Sequence, residues 1–131
     1  MSPGVMVLDA SALLAAMLEE PGQEKVERAL PNAIIGSVNL VEVASRLIDG
    51  GLSPEEAEED LAALELTVID FDQAQAIEAA RLRALTRHAG LSLGDRACLA
   101  LALVRGVPVL TADRAWAALA EAIGVEVELV R

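Results

Sequence analysis

The chain has 131 residues, of which 54% are hydrophobic, so it is long enough and apolar enough to form about one domain with a sizeable core. Its net charge of −11 argues against a uniformly basic nucleic-acid-binding surface, and its single cysteine excludes a disulfide framework within the chain. No apolar run reaches the roughly 18 residues of a membrane span, and the N-terminus lacks a signal-peptide pattern, so we expect a soluble, cytoplasmic protein.

Short apolar runs alternate along the chain with segments of helical periodicity. Strands are predicted at residues 5–8, 33–36, 66–69, 107–110 and 125–130. Helices are predicted at residues 10–18, 23–30, 38–48, 53–64, 72–88, 93–105 and 114–123. This alternation predicts an α/β fold that covers residues 1–131 as a single domain, a three-layer α/β/α sandwich with a central, mainly parallel five-stranded sheet.

Residues with strong capping preferences mark several of the predicted helix ends. Ser37 is placed to cap the helix at 38–48, and Ser53 with Glu56 forms a capping-box pattern at the next helix. Ser92 is placed to cap the helix at 93–105, and Gly106 ends that helix. These local signals fix where each helix begins relative to the strand before it.

Four acidic residues lie beside a predicted strand end or helix start. Asp9 directly follows the first strand, Glu42 lies in the first turns after the second strand, and Asp113 follows the fourth strand. In a parallel sheet the carboxyl ends of the strands share one edge, so these three side chains should meet there. Asp95 joins them because its helix turns back through Gly106 into the fourth strand, which places the helix start beside that strand's end.

The chemistry of these side chains indicates a metal site. Hard divalent cations prefer carboxylate oxygens as ligands. We therefore predict Asp9, Glu42, Asp95 and Asp113 as ligands, either directly or through water. Ser11 and Thr111 lie within two residues of these carboxylates and could orient them, although helix capping and turn formation explain both equally well.

Positive charge is concentrated in one part of this acidic chain. From Gln75 to Arg114 the net charge is +3, and the remainder carries −14. This segment could steer a phosphate chain toward the site, or its arginines could simply solvate a helix face. The arginines considered for RNA contact are Arg81, Arg83, Arg87, Arg96 and Arg114.

The acidic motifs together resemble the PIN domain and, within it, the VapC-like toxins of toxin–antitoxin pairs. The similar segments, in order, are LDASALLA, NLVEVASRL, LSLGDRACLALAL and VLTADRAW, and the resemblance covers nearly the whole chain. It implies a Mg²⁺- or Mn²⁺-dependent endoribonuclease that forms a homodimer and is inhibited by a small VapB-like antitoxin. The apolar faces of the helices at 10–18, 38–48 and 53–64 are richer than one small core requires, as expected for a subunit or antitoxin interface.

The same residues disfavour two other functions of small α/β domains. A response-regulator receiver needs a lysine near the late strands, and the one lysine here is Lys25. A dehalogenase-type phosphatase needs an aspartate two residues after the first one, where this chain has Ser11. A PIN nuclease with a non-toxin role in RNA processing and a non-catalytic PIN-like binding module stay as alternatives, although such a module would normally have lost a carboxylate.

Overall fold

The computed structural model describes residues 4–131, and its centre is a sheet of short strands. These are β1 (Met6–Leu8), β2 (Ala33–Gly36), β3 (Thr67–Ile69), β4 (Val109–Thr111) and β5 (Val127–Leu129). They lie in the order β3-β2-β1-β4-β5, and each neighbouring pair in the described chain is parallel. The strand order reverses between β1 and β4, so the carboxyl ends of these two strands flank the crevice where ligands bind in such sheets.

Seven α-helices lie in the described part of the chain, together with short 3₁₀ segments at Leu30–Asn32, Arg87–Ala89 and Arg114–Ala118. None of them is long and apolar enough to cross a membrane. They are α1 (Ala10–Met17), α2 (Gln23–Ala29), α3 (Ser37–Asp49), α4 (Pro54–Ala63), α5 (Gln73–Thr86), α6 (Leu93–Arg105) and α7 (Ala120–Ile123).

Side chains alternate along each strand, and this alternation creates two cores. In β1, Met6 and Leu8 pack on one side with α1 to α4, and Val7 packs on the other side with α5 to α7. In β4, Leu110 packs on the side of α1 to α4, and Val109 packs on the side of α5 to α7. The predicted three-layer sandwich is therefore confirmed, with a wholly parallel sheet in the described residues where a mainly parallel one was expected.

Most of the predicted element ends lie within two residues of those in the structure, and two details differ. Ser37 does not cap α3: Gly36 holds the N-cap position, and Ser37 is already helical because β2 leads into α3 without a loop. The Ser37 hydroxyl instead accepts a hydrogen bond of 3.0 Å from the backbone N–H of Phe71. The last predicted helix is split, since its first half is the 3₁₀ segment that carries the fully buried Trp116.

Candidate active site

Four acidic side chains from different elements line one open pocket at the carboxyl edge of the sheet. They are Asp9 after β1, Glu42 in α3, Asp95 in the first turn of α6 and Asp113 after β4. The pocket has a volume of about 400 Å³, and its other lining residues are Ala10, Ser11, Leu14, Ser45, Arg46 and Asp49. The fold thus brings together all four predicted ligands, while their role as ligands stays a prediction.

Asp9 is the most buried of the four carboxylates, with only 6% of the residue exposed. Its backbone N–H donates to the carbonyl of Leu110 in β4 at 3.0 Å, which fixes it between the two central strands. Burial raises the pKa of Asp9, and the negative charge of Asp95 adds to this rise. Hydrogen bonds from the Ser11 and Thr111 hydroxyls act in the opposite direction without cancelling the effect of burial.

The two hydroxyls beside Asp9 both donate to the same carboxylate oxygen. Ser11 Oγ lies 2.6 Å from Asp9 Oδ2, and Thr111 Oγ1 lies 2.9 Å from it. Each hydroxyl also accepts a backbone N–H, from Ala112 at 2.9 Å and from Asp113 at 3.0 Å respectively. A hydroxyl has one proton to donate, so the 3.2 Å separation of the two hydroxyl oxygens is a contact and not a further bond. These residues therefore orient Asp9 and also shape the turn after β4.

Glu42 enters the pocket from α3, and its carboxylate is held at the inner end. Asn39, three residues earlier, donates its Nδ2 to Glu42 Oε1 at 2.7 Å and to the carbonyl oxygen of Gly94 at 3.0 Å. Glu42 as a whole is exposed, yet its carboxylate packs against Gly94. Partial burial raises the pKa of Glu42, the Asn39 bond lowers it, and the charges of Asp9 and Asp95 add to the rise.

Asn39 is a site residue that the sequence reasoning missed. It is fully buried, which is unusual for an amide side chain without a structural or functional reason. Two signals in the sequence pointed to it. It precedes Glu42 by three positions, which places the two side chains on one helix face, and it is polar in an otherwise apolar run.

Asp95 and Asp113 line the pocket while they also cap local structure. Asp95 Oδ2 accepts the Ser92 backbone N–H at 3.0 Å, and Ser92 Oγ accepts the Asp95 N–H at 3.1 Å, so the two form the capping box of α6. Asp113 Oδ1 accepts the Ala115 N–H at 3.0 Å at the start of the 3₁₀ segment. A carboxylate has two oxygens and about four acceptor sites, so each cap leaves capacity for another partner.

The pocket offers the donors that a hard divalent ion prefers, but in an open arrangement. Within residues 4–131 the one ion pair joins Arg81 and Glu78 on α5, so no basic side chain in this range forms an ion pair with the pocket carboxylates. In the same part of the chain, no three Asp, Glu, His or Cys side chains lie close enough to hold one ion as they stand. The donor set therefore fits such an ion in chemistry and charge, and binding requires the side chains to draw together.

The arginines considered for RNA contact do not line this pocket. Arg96 donates its Nη1 to the Ala79 carbonyl at 3.1 Å and so joins α6 to α5, and Arg114 donates to the Arg131 carbonyl at 3.0 Å. The arginine that does line the pocket is Arg46, one helical turn after Glu42 and exposed. Its spacing of four residues from Glu42 was the available signal. The remaining three of the set lie exposed in or directly after α5: Arg81, Arg83 and Arg87.

Comparison with known proteins places the chain in a family. The family model described as the PIN domain matches residues 6–122. A Ribonuclease VapC of Mycolicibacterium smegmatis is 36% identical over 120 residues, which cover 85% of this chain and 93% of the relative. Ribonuclease VapC30 of Mycobacterium tuberculosis is 35% identical over 114 residues, which cover 80% of this chain and 87% of the relative.

Solved structures share the fold at lower sequence identity. The DNA-bound VapBC of Salmonella typhimurium matches with a TM-score of 0.75 and 22% identity, over 98% of this chain and 100% of that chain. The VapBC2 of Rickettsia felis, bound to a promoter DNA fragment, matches with a TM-score of 0.72 and 16% identity, over 95% and 98% of the two chains. The chain therefore belongs to the PIN-domain family, in its VapC group.

Proposed function

We propose that this protein is the endoribonuclease toxin of a VapBC-type toxin–antitoxin pair, acting in the cytoplasm. The observation that carries the proposal is the convergence of Asp9, Glu42, Asp95 and Asp113 on one pocket at the switch point of the sheet. Similarity to curated proteins named Ribonuclease VapC, at 35–36% identity over most of the chain, supports the same function.

The chain's own residues would each contribute a defined part of RNA hydrolysis. Asp9 provides a fixed carboxylate, because Ser11 and Thr111 hold one of its oxygens from two directions. Glu42 and Asp95 reach the same open pocket from the N-terminal turns of two helices, where their carboxylates could share a cation. Arg46 provides the positive charge at the pocket wall that an RNA phosphate needs.

Mg²⁺ or Mn²⁺ is the cofactor that this donor set favours, with the four carboxylates as the residues that would hold it. Such an ion neutralises charge on the attacked phosphate and lowers the pKa of the attacking water. The absence of an ion pair at the pocket carboxylates among the described residues supports this assignment, because their negative charge is left for an exogenous cation.

RNA cleavage with and without divalent ions tests the proposed activity. We expect the purified protein to cut single-stranded or loop RNA with Mg²⁺ or Mn²⁺ and to lose this activity in EDTA, because carboxylates alone repel the negative charge that develops on the attacked phosphodiester. Full activity in EDTA would contradict the metal-dependent mechanism. Metal uptake without RNA cleavage would favour the alternative of a non-catalytic PIN-like module.

An apolar groove between α3 and α4 supplies a surface for the antitoxin. It has a volume of about 490 Å³, and the apolar residues along it include Leu40, Val41, Ala44, Ile48, Leu61 and Val68. Val41 is 64% exposed, which is high for a β-branched apolar side chain. Several solved relatives are VapBC toxin–antitoxin complexes, so we assign the groove to the apolar face of a VapB-like helix.

A charge placed in the groove should separate partner binding from catalysis. We expect Val41→Glu to abolish capture of a co-expressed antitoxin while RNA cleavage is retained, because the new carboxylate would be desolvated in the complex. Leu85→Glu is a matched control, since Leu85 is 54% exposed on α5 and lies outside the groove. If Val41→Glu keeps the antitoxin but changes the size of the protein in light scattering, the groove is instead the homodimer interface.

A further inference from the structure

A fully buried amide joins α3 to the first turn of α6 beneath the pocket. The Asn39 Nδ2 donates at once to Glu42 Oε1 and to the Gly94 carbonyl oxygen, at 2.7 and 3.0 Å. A carboxylate oxygen and a carbonyl oxygen can only accept hydrogen bonds, so the amide nitrogen of Asn39, and not its oxygen, must face them. Asn39 thereby connects a pocket carboxylate to the backbone next to Asp95, 55 residues further along the chain.

Gly94 completes this contact by having no side chain. A Cβ built on Gly94 would overlap with all three atoms of the Glu42 carboxylate group. Gly94 is not among the glycines with a positive φ in the described chain, so its backbone conformation is open to any residue. The glycine is therefore required by the space that the Glu42 carboxylate occupies and not by the shape of the helix.

Stability alone does not explain this arrangement. The Asn39 side chain is fully buried, and its Oδ1 has no hydrogen-bond partner among the described residues. Burying an unsatisfied polar atom is unfavourable, so an apolar residue would suit a purely structural position better. What only an amide or another donor can provide here is the pair of bonds to Glu42 and Gly94.

We propose that Asn39 and Gly94 are positioning residues that together form a seat for the Glu42 carboxylate. This inference rests on the proposed metal-dependent nuclease function. The seat holds Glu42 at a fixed place relative to the start of α6, so that Glu42 and Asp95 present their oxygens to the same ion. Residues that orient a metal ligand typically affect metal affinity or activity by about 10- to 100-fold when they are replaced.

Gly94→Ala is the sharper test, because it separates positioning from folding. Alanine is favoured over glycine inside a helix, and the atoms it would meet are the end of a flexible side chain, so the variant should fold with unchanged or raised thermal stability. The Glu42 carboxylate must then leave its seat. We expect the affinity for Mn²⁺ alone, measured by titration calorimetry without RNA, to fall about tenfold or more.

Asn39→Ala provides the complementary test in a double-mutant cycle with Glu42→Gln. If Asn39 acts through Glu42, the change should weaken Mn²⁺ binding about tenfold in the native background and add almost nothing in the Glu42→Gln background. Val43→Ala is the matched control, because Val43 is fully buried on α3 and its truncation should lower the melting temperature without changing Mn²⁺ affinity.

The outcomes separate the inference from the proposed function. Unchanged Mn²⁺ affinity in a folded Gly94→Ala variant would overturn the seat and leave the metal-dependent nuclease in place. Equal losses from Asn39→Ala in both backgrounds would also overturn it, since they would show a general structural role. A native protein that takes up no Mn²⁺ would overturn the metal site and the seat together.

Discussion

The two halves of the pocket are built in different ways. The strand half consists of Asp9, directly after β1, Ser11, in the first turn of α1, and Thr111, the last residue of β4. Here a nearly buried carboxylate receives two hydroxyl bonds, and both hydroxyls are themselves held by backbone N–H groups. The helix half consists of three carboxylates at or near helix starts, which are half-buried or exposed: Glu42, Asp95 and Asp113.

The two halves differ in how firmly the fold holds their side chains. β1 and β4 are paired, and the backbone N–H of Asp9 donates to the carbonyl of Leu110 in β4. The geometry of the strand half therefore exists before any ligand binds. Among the described residues, the carboxylates of the helix half each accept one hydrogen bond of 2.7 to 3.0 Å from a neighbouring amide or backbone N–H. We infer that a cation would find Asp9 already in place, with Glu42 held by Asn39 and Gly94, and would draw Asp95 and Asp113 toward them.

Replacing the central carboxylate should have the largest effect. We expect Asp9→Asn to reduce RNA cleavage by about a hundredfold or more, because the amide removes the charge of the most buried ligand. The asparagine Oδ1 can still accept the hydroxyl bonds, so the fold should persist. Asp49→Asn, on the same pocket wall, is the control and should change cleavage little. Equal activity losses in both variants would mean that overall charge, and not Asp9, is what the site requires.

The same variant should change the pH dependence of stability in the metal-free protein. Burial raises the pKa of Asp9 above its ordinary value of 3.8, so protonation favours the folded state. The protonated Asp9 carboxyl adds fully to the free energy of unfolding below pH 3.8, and this stabilisation is lost as the pH rises through the raised pKa. We therefore expect Asp9→Asn to melt several degrees higher than the native chain at neutral pH in EDTA. At low pH, where Asp9 is protonated, the two proteins should have the same melting temperature. A lower melting temperature at neutral pH would contradict this account.

Removing one of the supporting hydroxyls should have an intermediate effect. Thr111→Val keeps the shape of a fully buried side chain but deletes the donor to Asp9 and the acceptor for the Asp113 N–H. We expect about a tenfold loss of cleavage and a lower Mn²⁺ affinity. Thr86→Val is a suitable control, because Thr86 is also buried and donates only within α5, to Leu82. If both variants lose activity equally, the loss reflects general destabilisation.

The elements of the fold were predictable because local chemistry defines their ends. Ser53 with Glu56 forms a capping box and Ser92 caps α6 as the sequence indicated, and Gly106 ends α6 in a left-handed conformation. The meeting of the four carboxylates followed from one topological rule about parallel strands. Asp95 was the least direct case, and it was still predictable because a short turn connects its helix to β4.

What the sequence did not reveal depends on contacts between distant segments. Asn39 and Gly94 meet only because α3 packs beside α6, and no local preference records that approach. Ser37 looked like a cap from its position, yet its hydroxyl bonds to Phe71, 34 residues away. The arginines of residues 75–114 were chosen from their density along the chain, whereas proximity to the pocket is a property of the folded surface and points to Arg46.

The smallest expected effect concerns this choice of arginine. Arg46 lies on the pocket wall one turn after Glu42, and Arg83 is equally charged and exposed on α5 outside the lining. We expect Arg46→Gln to raise the KM for RNA by a few fold with little change in kcat, because a phosphate contact contributes to binding more than to chemistry. It should also reduce the slope of log affinity against log salt by about 0.7, the value for one contact to single-stranded nucleic acid. Arg83→Gln should change neither the KM nor the salt slope. If Arg83→Gln weakens RNA binding more than Arg46→Gln does, the RNA follows the basic face of α5, and the helix half of the pocket contacts only the bond that is cut.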